Sequence, residues 1–418
     1  MMNTQSLFEQ RRQFLFAPSA TVRGGLLFCI IAGIFAFVGG MYAGEATRTW
    51  GALIFNLFFF FSLALGGVVF AGMQDVISAK WGRPMMRLHE SFASFLPVAA
   101  VAFLVFFICI GLNLGHAKDV YPWIRDPELV AEFWGKRTWL QPGLMMGRDI
   151  FALFTIYGLS LWQLGNKTKP DLLLMSGDQA GATAQGQLSQ ARLRYWSAPV
   201  LIAYALLFTL LAFDITASLA PLWYSTLWGG WSFAVMMQSL MAALLLFMYA
   251  VKGTPIGQFM RRQQFHDIGK FMHGFTVFFA YLTYAHIITI WYGNMPEETS
   301  FFIARLHGPW LLLLYAVFFL AFILPLFALL PKISKWTSGL AIPICASILL
   351  AQWIVNLLIV MPQVTDGSTW TVPWIEVGIF LGILGLFIGS IFRFGRKFPM
   401  VSIADPLLHE ALADAAHH

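Results

Sequence analysis

Asn113, His116, Arg148, Asp149, Asp214 and His286 stand at or just inside the ends of long apolar runs. Carboxylates and imidazoles take up protons when their surroundings tune them, and a nearby arginine can hold an oxygen anion. Oxidation of a hydroquinone must discharge two protons, so this set suits a quinol headgroup site or an outer proton relay. Arg305 and His307, just before another apolar run, suit lipid headgroups as well. A second set, Asp75, His89, Glu90, His273 and Tyr284, lies in or near other span ends and would supply a proton path. Each has a plainer reading. Arg148 and Asp149 could hold a helix end, with Asp149 favoured by the helix dipole. Glu90 and Asp267 could cap helix N-termini. Against this, a charge at bilayer depth costs several kcal/mol unless paired or solvated. Asp214 and His286 are therefore the strongest functional candidates.

No metal or haem ligand set is visible. Cys29, Cys109 and Cys345 are far apart, each within an apolar run, with no CxxC pair. His273 and His286 are 13 positions apart, about 20 Å along a helix, but about 220° apart around it. His89 and His116 are 27 positions apart, about 40 Å if helical. A bis-histidine haem finds no matching pairs. Any electron carrier must be a quinone or belong to a partner.

The elements that position these residues follow from composition. The 418 residues are 59% hydrophobic and 11% charged, and the mean hydropathy is +0.71. Ordinary soluble domains are roughly 25% charged. A water-soluble globular enzyme, a disordered chain and a disulfide scaffold are excluded. Ten apolar segments can be marked near 24–43, 51–78, 91–114, 143–164, 197–220, 226–251, 268–291, 308–330, 339–361 and 374–393. Each is long enough for a bilayer-spanning helix of about 20 residues. The short alternating segments of a membrane β-barrel are missing. The expected fold is an all-α polytopic membrane protein with ten transmembrane helices.

Charge sets the orientation. With the N-terminus on one side, 19 of the 26 Lys and Arg residues fall on that side and six on the other. The positive-inside rule makes the first side cytoplasmic. Both termini are then cytoplasmic, and the net charge of +6 reflects membrane orientation, with no nucleic-acid partner implied. The expected organisation is a cytoplasmic N-terminus (1–23) and spans one to four (24–164), with a long outer loop at 115–141. A flexible cytoplasmic linker (165–196), spans five to ten (197–393) and a cytoplasmic tail (394–418) follow. Trp123, Trp134 and Trp139 in the outer loop suit the headgroup level.

Three stretches carry a resemblance. Ile290-Trp291-Tyr292-Gly293-Asn294-Met295-Pro296-Glu297-Glu298-Thr299 ends the seventh segment. Asp214-Ile215-Thr216-Ala217-Ser218-Leu219-Ala220-Pro221-Leu222-Trp223-Tyr224 joins the fifth and sixth. His307-Gly308-Pro309-Trp310 opens the eighth. Together they resemble the NrfD/polysulfide-reductase membrane-subunit family, and within it the quinone-type subunits of alternative complex III, the second of the two more than the first. Relatives often have Ser-Gln at Ala285-His286 and His at Leu222. The resemblance implies two four-helix bundles, spans two to five and six to nine, flanked by spans one and ten. It implies a bacterial inner-membrane complex that oxidises quinol, menaquinone or ubiquinone being the oxidised form, and passes electrons to cytochrome c. The implied partners are an outer-side iron–sulfur subunit, a homologous ten-span subunit and cytochrome c subunits carrying haem c. A purely structural or proton-conducting role in such a complex is the alternative. A secondary transporter is a more distant one, since Pro325 and Pro343 have no counterparts in spans three and four.

Overall fold

The computed structural model describes residues 11–131, 134–365 and 372–414. Helix is the only regular structure among them. Ten helices are long and apolar enough to cross a membrane: α1 (Ala20–Tyr42), α2 (Ala46–Val76), α3 (Arg83–Gly111), α4 (Pro142–Met175), α5 (Gln179–Leu219), α6 (Trp228–Val251), α7 (Arg262–Gly293), α8 (Pro309–Ala328), α9 (Ser338–Val364) and α10 (Trp374–Lys397). The chain is a multi-pass all-α membrane protein, as its composition predicts.

Local chemistry sets many of the ends. Ser19 caps α1 by accepting from the Val22 amide. Pro142 and Pro309 stand in the first turns of α4 and α8, where a missing N–H costs nothing. Asn294 stops α7 in a left-handed turn.

Helices α2, α3, α4 and α5 pack in a ring, and α6, α7, α8 and α9 form a second ring. The two bundles join where α2 meets α6 and α9 and where α5 meets α6. Helices α1 and α10 pair outside the rings, with α10 laid on α2 and α3. This is the two-bundle plan that the family resemblance implied.

The central helix is α2. Of its most apolar stretch 94% is buried, against 11% for α8. Phe58, Phe59, Phe60 and Phe61 are all buried, and the Phe60 ring meets Phe95, Phe380 and Phe387. Lipid is as apolar as these side chains, so the gain is close packing rather than escape from water. Arg48 of α2 is tied to Glu376 of α10 at 2.8 and 3.0 Å. The Glu376 carbonyl accepts from Asn56, whose own amide oxygen accepts from Trp353 of α9 at 2.7 Å. Three helices are thereby locked together at one level.

Two expectations are corrected. The segment 165–196 is not a flexible linker. Helix α4 runs to Met175 and α5 begins at Gln179, joined by a tight turn at Gly177 with φ of 95°. The 34 residues of α4 span about 51 Å, well beyond a hydrocarbon core of about 30 Å. In the loop between α3 and α4, Trp123 does not face lipid headgroups. It is buried against Tyr121 within the protein. The chain's two ends meet on one face, where Phe16 N–H donates to the Gly395 carbonyl and Met400 N–H to the Phe14 carbonyl, both at 2.8 Å. We call this the terminal face.

Helices α1 and α10 touch through small residues. A Cβ added to Gly33 would lie 2.4 Å from the Gly382 Cα, so the contact requires glycine. Gly33→Leu is expected to cost about 1–3 kcal/mol through overpacking, seen as a lowered melting temperature in detergent. Leucine at Gly25, which meets nothing within 4 Å, should leave it unchanged.

Candidate functional site

The outer candidates fall into two places, one in each bundle. In the first bundle, α5 ends in a wider π-type turn, Ala212–Thr216, which carries Asp214. Such turns recur at functional sites. Arg148 of α4 holds the Asp214 carboxylate with two nitrogens, at 2.5 and 2.8 Å. Trp139 Nε1 donates to the same carboxylate at 3.0 Å, and its ring lies 3.9 Å under the guanidinium. Asp149 is fully buried and within electrostatic reach of Asp214 and Arg148. Neither of its oxygens accepts from an N–H group among the described residues, and its side-chain hydrogen bond is with the Asp214 carboxylate. Tyr121 completes the group and donates to the Ile215 carbonyl at 3.3 Å. Burial pushes its phenol well above the usual range, and the Asp149 and Asp214 carboxylates push it further. Tyr121 is thus a neutral donor beside two carboxyl groups.

His116 and Asn113 do not join this group. Asn113 is exposed and left-handed at φ 53°, in the turn that follows α3. The His116 side chain is 74% exposed and pairs with Asp119 at 3.0 Å.

His286 is in the second bundle. Its Nδ1 faces the Leu282 carbonyl at 2.8 Å, and its buried Nε2 has no partner among the described residues. Trp223, Trp228, Trp231 and Phe301 surround it. Arg305, from the segment before α8, roofs the space. It is buried, and its nitrogens donate to the Leu358, Ile359 and Phe301 carbonyls. No carboxylate pairs with it among the described residues. Burial alone pulls its guanidinium down to about 9, so it stays charged at neutral pH. Arg305 is therefore no headgroup contact.

The terminal-face candidates form a closed ion network in the first bundle. Lys167 Nζ lies 2.7 Å from Asp75 and 2.6 Å from Glu90. Arg83 bridges Asp75 and Asp405, each at 3.1 Å. Arg87 bridges Glu90 at 3.0 Å and Asp171 at 2.5 Å. The Ala404 amide donates to Asp171 at 2.9 Å. Glu90 is thus no helix cap. Neither is Asp267, which lies inside the start of α7 and pairs with Lys270 at 2.7 Å. His89 sits beside the network, its Nδ1 at 2.8 Å from the Gly67 carbonyl. His273 and Tyr284 lie elsewhere. His273 is on α7 with Nδ1 unpartnered, and Tyr284 is 62% exposed in a cleft between α7 and α8.

Sequence reasoning did not find Tyr121, Trp139, Lys167, Asp171 or Asp405. Asp149, Ser160, Gln163, Lys167 and Asp171 are all buried on α4. Their steps of 11, 3, 4 and 4 residues mark one helical face, and that signal was available. No group of three or more His, Cys, Asp or Glu among the described residues could hold a metal ion. Fold and site together define an all-α, multi-pass membrane protein with paired four-helix bundles. No family model matches the sequence, and neither does any curated protein.

Removing one member of a buried ion pair costs about 3–5 kcal/mol, because the other is left uncompensated. Lys167→Met removes one of the two cations that hold each of Asp75 and Glu90, leaving Arg83 and Arg87 with four carboxylates. It should lower thermal stability in detergent by that order, with part of the loss recovered in Lys167→Met combined with Glu90→Gln.

Proposed function

We propose that the protein is an integral subunit of a quinol-oxidising complex of the alternative complex III type in a bacterial cytoplasmic membrane, with the terminal face cytoplasmic. It contributes a proton-accepting quinol site near the opposite face. The partners are an outer-side iron–sulfur subunit, a homologous ten-span subunit and cytochrome c subunits, and the electron carriers other than quinol belong to them.

The observation that carries this reading is Asp149, a fully buried carboxyl group without an N–H donor or a salt bridge among the described residues, set against the Asp214 carboxylate. Quinol oxidation must place two protons on acceptors at this level. Asp149, buried and without a salt-bridge partner of its own, is the member of the group suited to hold one as a neutral carboxyl. Asp214, held by Arg148 and Trp139, fixes the charge beside it. Tyr121 supplies a neutral hydroxyl in the same group. The charge asymmetry of the loops and the three sequence stretches quoted above support the orientation and the class of complex.

A structural role is favoured by one observation. Between Asp149 and Ser160 the core-facing residues of α4 are Ala152, Leu153 and Ile156, an apolar stretch of about 16 Å. Along this face of α4 the two polar ends are therefore not linked by a continuous polar path.

Mild-detergent purification should bring down c-type haem and an iron–sulfur subunit with this chain. In that complex Asp149→Asn should lower quinol turnover by about tenfold or more, in line with the loss of a proton acceptor, while subunit content and haem spectrum are retained. Unchanged turnover would leave the structural role standing.

A further inference from the structure

The second bundle holds a chamber of its own. It has a volume of about 130 Å³ and is walled by aromatic rings. Trp223 stacks on Phe301 at 4.2 Å, and Trp228 stacks on Trp231 at 4.9 Å. A dry apolar cavity of about 150 Å³ holds a benzene, so this space is the size of one six-membered ring. Phe279, Thr283, Phe302, Leu314 and Val317 line it and also line a larger cleft of about 860 Å³ between α7 and α8. The cleft is almost wholly apolar. Tyr281, Tyr284, Ile287 and Phe318 on its walls are all more than 45% exposed, so it faces lipid. A ring in the chamber could thus keep an apolar tail in the cleft.

Polar atoms at the chamber are few, and their chemistry is definite. His286 is 95% buried, with 5% of its surface exposed. Its Nδ1 faces a carbonyl oxygen, which only accepts, so Nδ1 carries the proton. In the neutral ring Nε2 is then a lone pair without a donor. The Trp228 indole N–H is taken by the Ala212 carbonyl and Thr216, and that of Trp231 by Thr283. The Trp223 N–H is buried and unpartnered. Besides Arg305, whose nitrogens each donate to a main-chain carbonyl, one acceptor and one donor are left unpartnered among the described residues around a ring-sized space. A buried polar atom without a partner is destabilising, and a ligand with a ring hydroxyl would satisfy His286.

We infer that this chamber binds the reduced, hydroxyl-bearing form of a tailed aromatic carrier of the quinol class, entering from lipid between α7 and α8 and donating its hydroxyl to His286 Nε2. A carbonyl in the same place would set two acceptors against each other, so the oxidised form binds less well. The choice of carrier rests on the proposed function, and the site itself is separate from the Asp149 group.

The test uses the full chain in phosphatidylcholine nanodiscs under argon. The probe is a tritium-labelled, short-isoprenoid benzohydroquinone, compared with its oxidised form. The reduced form should show a saturable class of sites at least tenfold tighter than the oxidised form. His286→Phe should weaken this class by tenfold or more, and His286→Gln, which restores an acceptor, should recover part of it. Leu314→Trp, at the neck between cleft and chamber, should abolish it without touching His286. Absence of saturable binding, wild-type binding in both His286→Phe and Leu314→Trp, or an oxidised form bound as tightly as the reduced one would overturn the inference. Binding as inferred, in a chain that purifies without haem or iron–sulfur partners, would leave the site standing and remove the complex.

Discussion

Lys167 lies between Asp75 and Glu90, and the rest of the first bundle depends on that placement. Each buried ion costs several kcal/mol that only close partners can offset. Three cations, Arg83, Arg87 and Lys167, meet four carboxylates, Asp75, Glu90, Asp171 and Asp405. These come from α2, α3, α4 and the segment after α10. A one-residue slip of any of these helices would strand a charge. Such a network adds little net stability over an apolar core, but it permits one register. It also explains why α4 and α5 run past the membrane thickness. The extended hairpin shelters charges that would otherwise lie at the lipid edge, and Gly186 of α5 lets the Ala404 carbonyl approach to within 2.6 Å of where a Cβ would stand.

The two ends of the molecule differ in how completely polar groups are paired. On the terminal face nearly every buried charge has a partner at salt-bridge distance. In the middle of the second bundle, Gln238 donates to Thr276 at 3.0 Å and to the Ala321 carbonyl at 2.8 Å. That carbonyl lies within the π-type segment Phe318–Ile323, where the helical ladder loosens and a main-chain oxygen can take an outside donor. At the opposite face, Asp149, His286 Nε2 and Trp223 Nε1 are buried and unsatisfied. Unsatisfied groups are expensive where water is excluded, and these three lie in the two candidate sites, while Gln74 Oε1, Arg87 Nε and His273 Nδ1 are unpartnered elsewhere among the described residues.

The fold could be read from the sequence because a bilayer imposes one demand on every span, a run of about 20 apolar residues. Asp214, Arg148, Asp149 and His286 could be read for the same reason, since a charge in such a run is rare. What failed was information that lies around a helix rather than along it. His116 and Asn113 share a height with Asp149 but end in an exposed left-handed turn. His273, unlike Asp75, belongs to the other bundle. The segment 165–196 looked like a linker because it is polar and has several glycines. Its alanines and glutamines are good helix formers, and packing of α4 on α5 supplies the rest. Tyr121 and Trp139 come from a loop that folds back over the bundle, and no periodicity announces that.

The polar face of α4 carries the comparison furthest. Asp171, Lys167, Gln163 and Ser160 rise from the terminal face in steps of three and four. Gln163 donates to the Val68 carbonyl at 3.0 Å, and Ser160 meets the Tyr204 hydroxyl at 3.0 Å. The next polar group on that face is Asp149, 11 residues away. Side-chain hydrogen bonds span about 3 Å, and the gap is about 16 Å. Ala152 is the small residue in this stretch, and its neighbours Leu153 and Ile156 are buried and close-packed. The polar neighbours of Asp149 are therefore Asp214, Arg148 and the loop that carries Trp139, on the side away from Ser160.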